Sequence, residues 1–472
     1  MNTKFALPMV VAGSILLAGC FDGSDSTPTT DVRVVHASSD APAVNVRVNG
    51  DVVVSGADFK QAAVLKPDAG VVSIEVDGLL PGGATATVIK ADGVSLRSDT
   101  NYDVIAVGKA GDDTIEPLIL SDTGERDSAD SVRLRVAHLS PDAQTAAGGA
   151  VDVYVTAPGA DLATAAPAVT FEFKGSAGPL EVPAGDYQIR VTPTGDPNTV
   201  VYDSGTVPLP AGADLLVGAV DNTGANGGAS PVSLIVLNGS EVSEIYDADQ
   251  GAGVRVVHAS ADAPNVDVFV DGQATPLTDI PFGDVAPFAY LDGYASLPAG
   301  ESRIQVTAAG TGLGQNGDLA VIDVTLPLVN GEGYTALAVG QLANIEALAE
   351  QDEVRSIATQ ASLRIIHAST AAGNVDIYLV PNTQNGIGNS DPALSNVPFK
   401  AVTEYLAIAD GTYNVYIAPT GTGTPAITAE GVELSAGNVY TVVARDADPS
   451  NADPALQELG LILFDDFVAQ PQ

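Results

Sequence analysis

The 472-residue chain contains four histidines, and each lies in a copy of the same short motif. The motif reads VRVVHASSDAP around His36, LRVAHLSPDAQ around His138, VRVVHASADAP around His258 and LRIIHASTAAG around His367. The histidines are 102, 120 and 109 residues apart. This period exceeds the roughly 20–50 residues of a solenoid repeat and fits a sandwich domain of about 100 residues. The chain is therefore predicted to contain one domain four times.

Each motif is followed by a segment in which apolar and polar residues alternate. The first copy has VNVRV at 44–48, and the others have VDVYV, VDVFV and VDIYL. Strict alternation indicates half-buried strands, and the Gly, Pro and Asp turns between them favour an all-β fold. We predict four tandem immunoglobulin-like antiparallel β-sandwiches. Their predicted bounds are 31–124, 131–246, 252–352 and 360–468.

The first residues are typical of a bacterial lipoprotein signal. Lys4 is followed by a short apolar run that ends in Leu17-Ala18-Gly19-Cys20, which resembles a lipobox. The resemblance implies a signal peptide over 1–19, a lipid on Cys20, which is the sole cysteine, and a flexible tether over 20–30. The protein is then expected in the cell envelope, held by its lipid. The residues after Cys20 favour the outer membrane, with a periplasmic or surface orientation.

The pattern VRVVHASxDAPxVDVxVDG resembles a bacterial extracytoplasmic family known as domain of unknown function 4397. The resemblance spans nearly the whole mature chain in four copies, of which the first and third match best. The second copy departs from the pattern, with Gln144 in place of proline and an insertion at 145–150. The fourth copy lacks the Asp and the Pro. Membership of this family implies no biochemical activity.

Composition excludes several functions. With 59 acidic and 19 basic residues, the net charge of −40 repels the phosphates of nucleic acids. A single cysteine excludes an internal disulfide. The sequence has no P-loop, no HExxH and no GxSxG motif, and its histidines are all repeated ones. We therefore predict that the protein is not an enzyme and requires no cofactor.

Strand parity gives the histidines a structural interpretation. His258 shares a strand face with Val254 and Val256, whereas Arg255 points to the other face. The same holds in the other copies, so each histidine is expected at the rim of a core, where it fixes the first loop. The alternative is a metal site. Its candidate ligands are His258 with Asp262 and Asp267, and His138 with Asp142 and Asp152.

This metal site is disfavoured because the carboxylates are not repeated in every copy. Asn45 and Ala371 replace them in the first and fourth copies. A separate alternative is calcium bound by the acidic linker residues Asp247 and Asp249. The sequence as a whole favours a non-catalytic spacer, adhesion or interaction rod with an unidentified envelope or extracellular partner, a protein or a polysaccharide. The alternative is a surface protein that binds calcium at its linkers or polysaccharide at its domain junctions.

Overall fold

The structure is a computed structural model that describes residues 28–226, 230–286, 293–315 and 317–467. The predicted signal peptide, Cys20 and residue 468 lie outside these ranges. Residues 28–30, which the sequence assigns to the tether, already pack on the first domain. Thr29 forms a β-bridge with Asp68, and the Thr30 side chain is buried. The first domain therefore starts before residue 31.

Within the described residues, each motif copy starts a sandwich of two β-sheets, which confirms the predicted all-β class. We call the sheet that holds the histidine-bearing strand the inner sheet, and the sheet packed against it the outer sheet. The alternating residues fill the space between the two sheets. In the first domain, for example, Val34 of the inner sheet and Val46 and Ile74 of the outer sheet belong to one buried cluster.

In the part of the chain that the structure describes, the first two domains contain seventeen strands and one α-helix. In the first domain the inner sheet has the order β4-β1-β7-β8 and the outer sheet β3-β2-β5-β6. In the second domain the orders are β12-β9-β15-β16-β17 and β11-β10-β13-β14. The bounds are β1 Val32–His36, β2 Val44–Val48, β3 Asp51–Ala57, β4 Ala62–Leu65, β5 Gly70–Leu79, β6 Thr85–Leu96, β7 Asn101–Val107, β8 Glu116–Asp122, β9 Ser131–His138, α1 Pro141–Ala147, β10 Val151–Thr156, β11 Val169–Phe171, β12 Ser176–Pro183, β13 Gly185–Pro193, β14 Tyr202–Leu209, β15 Asp214–Asp221, β16 Val232–Asn238 and β17 Glu241–Ile245.

The third and fourth domains repeat this plan. Their inner sheets have the orders β21-β18-β25-β26, with β22 also on β18, and β30-β27-β33-β34. Their outer sheets are β20-β19-β23-β24 and β29-β28-β31-β32. The bounds are β18 Ala252–His258, β19 Val266–Val270, β20 Gln273–Ala274, β21 Val285–Ala286, β22 Ala295–Leu297, β23 Gly300–Ala308, β24 Ile322–Leu328, β25 Gly333–Val339, β26 Glu346–Asp352, β27 Ala361–His367, β28 Val375–Pro381, β29 Leu394–Val397, β30 Leu406–Ile408, β31 Gly411–Pro419, β32 Ile427–Leu434, β33 Val439–Arg445 and β34 Gly460–Phe467, and short 3₁₀ helices cover Pro81–Gly83, Leu342–Asn344 and Pro454–Leu456.

One strand pairing in each domain differs from the antiparallel prediction. The histidine-bearing strand pairs in parallel with a late strand of its own domain, as β1 does with β7 through Val34 and Val104. The same parallel pairing joins β9 to β15, β18 to β25 and β27 to β33. Such pairing requires a long crossover, which the intervening strands of the outer sheet provide. Alternation in the sequence does not reveal strand direction, so this feature could not be predicted from it.

The inner sheets of neighbouring domains pack face to face. Val35 and Ile105 of the first domain share a buried cluster with Leu216 and Ile235 of the second. An equivalent cluster joins the third and fourth domains, including Val257, Leu337, Ile366 and Val443. The domains are therefore not strung out as the rod that the sequence favoured. The domains form two tightly packed pairs, because both faces of the histidine-bearing strands are apolar enough to be buried.

None of the helices in the described part of the chain has the length and apolar character needed to cross a bilayer.

Candidate functional site

Each histidine ring lies at the end of its strand and contacts the loop that follows. In all four copies, Nδ1 accepts the backbone N–H of the serine two residues later, at 3.3–3.4 Å. In three copies, Nε2 lies close to the backbone carbonyl oxygen six residues later. These Nε2–O distances are 3.1 Å from His36 to Pro42, 3.0 Å from His258 to Pro264 and 2.7 Å from His367 to Gly373.

These contacts require a neutral ring. Because a backbone amide can donate but not accept, Nδ1 must be unprotonated, and Nε2 carries the hydrogen that it donates to the carbonyl. Burial lowers the pKa of His36, His138 and His258. An aromatic edge covers each of these three rings, as Phe59 does for His36 at 6.3 Å between centroids. The histidine rings thus hydrogen-bond to the loop that follows their strand, and their role in fixing that loop stays a prediction.

The second copy departs from this arrangement. His138 is 2% exposed, yet its Nε2 has no hydrogen-bond partner among the described residues. The residue six places later is Gln144, which lies within α1. Its carbonyl accepts the N–H of Gly149 at the end of that helix and is therefore used elsewhere. The insertion noted in the sequence thus removes the partner of one imidazole.

The alternative metal ligands do not gather around the histidines. Asp262 accepts the backbone N–H of Leu342, and Asp142 forms an ion pair with Lys109 at 2.7 Å. Asp267 and Asp152 cap loops of their own outer sheets. Across the described ranges, no three His, Cys, Asp or Glu side chains are grouped so that they could hold a metal ion.

The acidic linker between the second and third domains is used to shape its own turn. The Asp247 carboxylate accepts the backbone N–H groups of Asp203 at 2.8 Å and Asp249 at 2.9 Å. Its backbone carbonyl accepts the side-chain amide of Asn330 in the third domain. Calcium binding by Asp247 and Asp249 stays a prediction from the sequence.

The motif arginines lie at interfaces between domains, which the sequence pattern did not predict. Arg33 and Arg135 point away from their own cores, as parity requires, but into the interface between the first and second domains. Arg33 pairs with Asp103 at 2.7 Å, and Arg135 pairs with Asp103 at 2.6 Å and with Asp122 at 2.7 Å. The side chains of these residues are 10% exposed or less. Charges this deeply buried must be paired, so they fix how the two domains meet.

The second pair of domains has an equivalent arrangement. Asp352 forms ion pairs with Arg255 of its own domain at 3.4 Å and Arg364 of the fourth domain at 2.6 Å. It also accepts the hydroxyl groups of Tyr294 and Thr335. The recurrence of arginine from both motif copies in each pair shows that the motif serves two interfaces, one inside its domain and one between domains.

The two pairs also contact one another, through loops of the second and third domains and through the linker between the third and fourth domains. Ala225 donates its backbone N–H to the carbonyl of Gly331, which joins the second domain to the third. Arg355, in the segment between the third and fourth domains, donates to the carbonyls of Ser39 and Ala41 in the first domain at 3.2 and 2.9 Å. The same guanidinium pairs with Asp58 at 2.5 Å. The segment between the third and fourth domains is therefore in direct contact with the first domain.

A polar cavity of about 440 Å³ lies where the four domains meet. Lys60 of the first domain lines it and pairs with Glu244 of the second at 2.5 Å. Burial raises the pKa of the nearby Glu332, Glu350 and Glu353 carboxyl groups. This cavity is part of the interdomain interface, and sequence reasoning gave no indication of it because its residues come from distant segments.

The family model of a domain of unknown function, DUF4397, matches residues 30–154, 252–378 and 380–471, well over half of the chain. The chain belongs to the DUF4397 family. The first and second DUF4397 matches start at the β1 and β18 motif copies, and the third covers most of the fourth repeat. Most of the divergent second repeat, from 155 to 251, falls between the matches.

No relative of this DUF4397 protein was found among curated proteins. One solved structure that it resembles is described as a "putative cell adhesion protein" from Bacteroides fragilis NCTC 9343. That likeness has 10% sequence identity and a TM-score of 0.12, and it covers 47% of this chain and 99% of the other. Similarity at this level supports no argument about fold or function.

Proposed function

We propose that this DUF4397 protein is a lipid-anchored, non-catalytic protein of the bacterial cell envelope, attached to the outer membrane, that binds a protein or polysaccharide partner through its outer sheets. The observation that carries the proposal is the burial of the inner sheets against one another. Because the two inner sheets of each pair are buried against one another, the outer sheets are the sheet surfaces that remain for contact with other molecules. The buried, neutral histidines also support a role without catalysis.

The outer sheets of the first and third domains carry polar pairs between adjacent strands. Arg47 pairs with Asp77 at 2.8 Å on the first, and Arg303 pairs with Asp323 at 2.5 Å on the third. The arginine side chains are 36% and 50% exposed. Arginine is enriched in protein interfaces, and its planar donors suit carboxylates and hydroxyl-rich surfaces. These two faces are our candidate contact surfaces.

Capture of a partner by the mature protein tests this role. Residues 21–472 are immobilised and exposed to envelope extract and to purified extracellular polysaccharide, and the bound material is identified. We expect one partner whose capture falls strongly in the double variant Arg47→Glu and Arg303→Glu. The matched control is Arg97→Glu, an exposed arginine of the first domain outside these pairs. Equal capture by the double variant and the wild type would contradict the role of the outer sheets.

The anchor is tested separately in cells. The proposal predicts that the full chain is recovered with the outer membrane and incorporates labelled fatty acid. Cys20→Ser should remove the label and release the protein from the membrane fraction. A serine variant that remains membrane-bound, or a wild-type chain that takes up no label, would rule out anchoring through Cys20.

A further inference from the structure

Within the described residues, the second sandwich contains a cavity far larger than the corresponding spaces in the first and third domains. Its volume is about 570 Å³, whereas the corresponding spaces in the first and third domains measure about 30 Å³ each. The cavity lies between the two sheets of the second domain and is lined mainly by apolar side chains, among them Val136, Val153, Phe171 and Ile189. Protein interiors are normally packed to a density that leaves few voids larger than a water molecule. A space of this size therefore distinguishes the second domain from the first and third.

The insertion after His138 accounts for the cavity. In the first, third and fourth domains the next strand starts eight residues after the histidine, whereas in the second it starts thirteen residues later, at Val151. The additional residues form α1, with Ser140 as its N-cap and Gly148 in the left-handed conformation at its C-terminus. The helix presents alanines to the interior, and Ala143 and Ala147 line the cavity. Small side chains on a helix that spans the end of the sandwich leave the space between the sheets open.

One buried polar atom faces this apolar space. His138 lines the cavity, is 2% exposed, and finds no hydrogen-bond partner for Nε2 among the residues that the structure describes. Its Nδ1 accepts the Ser140 N–H, so Nε2 is the nitrogen that carries the hydrogen. Leaving such a donor unpaired in an apolar interior is costly. Water is a poor partner, because an ordered buried water needs two to four polar neighbours and nearly all of the residues that line this cavity are apolar.

The cavity reaches the surface at one end. Ala146 of α1 and Thr199 and Val200 of the loop between β13 and β14 line it and are exposed, with Val200 at 43%. The mouth thus lies between the inserted helix and this loop. A small molecule could enter there without separation of the two sheets.

We propose that the second domain binds an uncharged, largely hydrocarbon molecule with one carbonyl or ester oxygen, which accepts the hydrogen of His138 Nε2. At about 30 Å³ of liquid volume per water molecule, the 570 Å³ space has room for roughly 19 groups of that size. An anionic head group is disfavoured, because the ring is neutral and the buried Asp221 carboxylate lies near it. The site belongs to the second domain alone and is independent of the outer-sheet surfaces.

Prodan, an uncharged aromatic ketone whose fluorescence reports the polarity of its surroundings, is a suitable probe. We expect it to bind the mature protein at one site with a blue-shifted emission. Its analogue with a propyl group in place of the propionyl group should bind about 3- to 10-fold more weakly, because it cannot accept the hydrogen bond. His138→Phe should remove this preference for the ketone.

Two further variants leave the histidine intact. Ala219→Leu places a larger side chain in the cavity, and Val200→Trp narrows its exposed mouth, so both should weaken prodan binding at least 10-fold. The control is Val321→Trp in the third domain, a valine of similar exposure (40%) that does not line the cavity. It should bind prodan like the wild type. The proposal is overturned if prodan does not bind, if it binds the Val200→Trp and Ala219→Leu proteins as tightly as the wild type, or if the ketone and its analogue bind equally.

Discussion

Residues on the two faces of one short strand have different structural roles in this protein. In the third copy, His258 turns into its own sandwich and holds the loop up to Pro264, whereas Arg255 turns outward and meets Asp352 at the interface with the fourth domain. The two roles follow from the two faces of a β-strand. A substitution at either position should therefore affect a different interface, which makes the motif experimentally separable.

Replacement of a motif histidine, which hydrogen-bonds to the loop after its strand, should destabilise its domain. His258→Ala removes two hydrogen bonds and leaves the buried Ser260 amide without its acceptor, so we expect a loss of about 1–3 kcal/mol in the free energy of unfolding. His138→Ala should cost about 0.5–1.5 kcal/mol less than His258→Ala, because within the described ranges the Nε2 of His138 has no such bond to lose. Urea unfolding, monitored by hydrogen exchange in the affected domain, measures both losses in free energy. Equal losses in the two variants would contradict the role of the carbonyl contact.

The buried imidazoles also predict a pH dependence. Burial lowers the pKa of His258 in the folded state below its unfolded value of about 6.5. The unfolded chain therefore binds more protons as the pH falls below about 6.5, and this contribution to the free energy of unfolding decreases from pH 7 to pH 5. The carboxyl groups of Glu332 and Glu350, whose pKa burial raises, act in the opposite direction. The histidine contribution is isolated by comparing wild type with His258→Ala in urea at both pH values. The stability difference between them should shrink at pH 5, and a constant difference would refute the assignment.

At the scale of elements, alternation in the sequence was enough to place the strands and the sandwich cores. It did not reveal that the histidine-bearing strands are buried on both faces. The signal was present, because Val35, Val257 and Ile366 give the arginine face an apolar character, and strands buried on both sides read as nearly continuous apolar runs. Strand parity placed the arginine within that run on the face opposite the histidine, but it assigned the arginine no partner. The acidic partners of the arginines lie in distant strands, so their pairing could not be inferred from spacing.

The sequence also carried a partial signal for the cavity in the second domain. The insertion after His138 and the loss of proline at Gln144 are visible in the sequence. Their consequence depends on where the backbone carbonyl of Gln144 points once α1 forms, and this is a property of the helix end rather than of residue type. Sequence reasoning could mark the second copy as different but could not assign it a ligand.

The pairing of inner sheets rests on buried ion pairs that should be intolerant of change. Asp352→Asn removes the negative charge that Arg255 and Arg364 share, in a site where all three side chains are 2% exposed or less. Breaking a buried pair in this way should cost about 3–5 kcal/mol. The matched control is Asp323→Asn, whose partner Arg303 is half exposed at the surface, and it should change stability little. Thermal unfolding of both variants provides the measurement, and similar melting temperatures would show that the buried network contributes little to domain pairing.

At the scale of the whole molecule, the four repeats are better described as two copies of a two-domain unit. The first and second domains share one apolar interface with a cluster of arginines and aspartates, and the third and fourth share another. Each unit buries its inner sheets and exposes its outer ones. An N-terminal tether would thus hold a compact group of four domains rather than an extended spacer. This arrangement favours binding of a partner over a role in keeping two surfaces apart.

The contact that joins the fourth domain's linker to the first domain should control this compactness. Arg355 is 7% exposed, donates to the carbonyls of Ser39 and Ala41, and pairs with Asp58. Hydrogen bonds to a charged group typically contribute about 1.5–3 kcal/mol, so Arg355→Gln should weaken the contact enough to let the two units move apart. Small-angle X-ray scattering should then show a larger radius of gyration and greater maximum dimension than for the wild type, with each unit still folded. Arg97→Gln, which removes an exposed arginine of the first domain, should leave the scattering unchanged. If the Arg355→Gln profile matched the wild type, the remaining contacts, such as that between Ala225 and Gly331, would be sufficient to hold the units together.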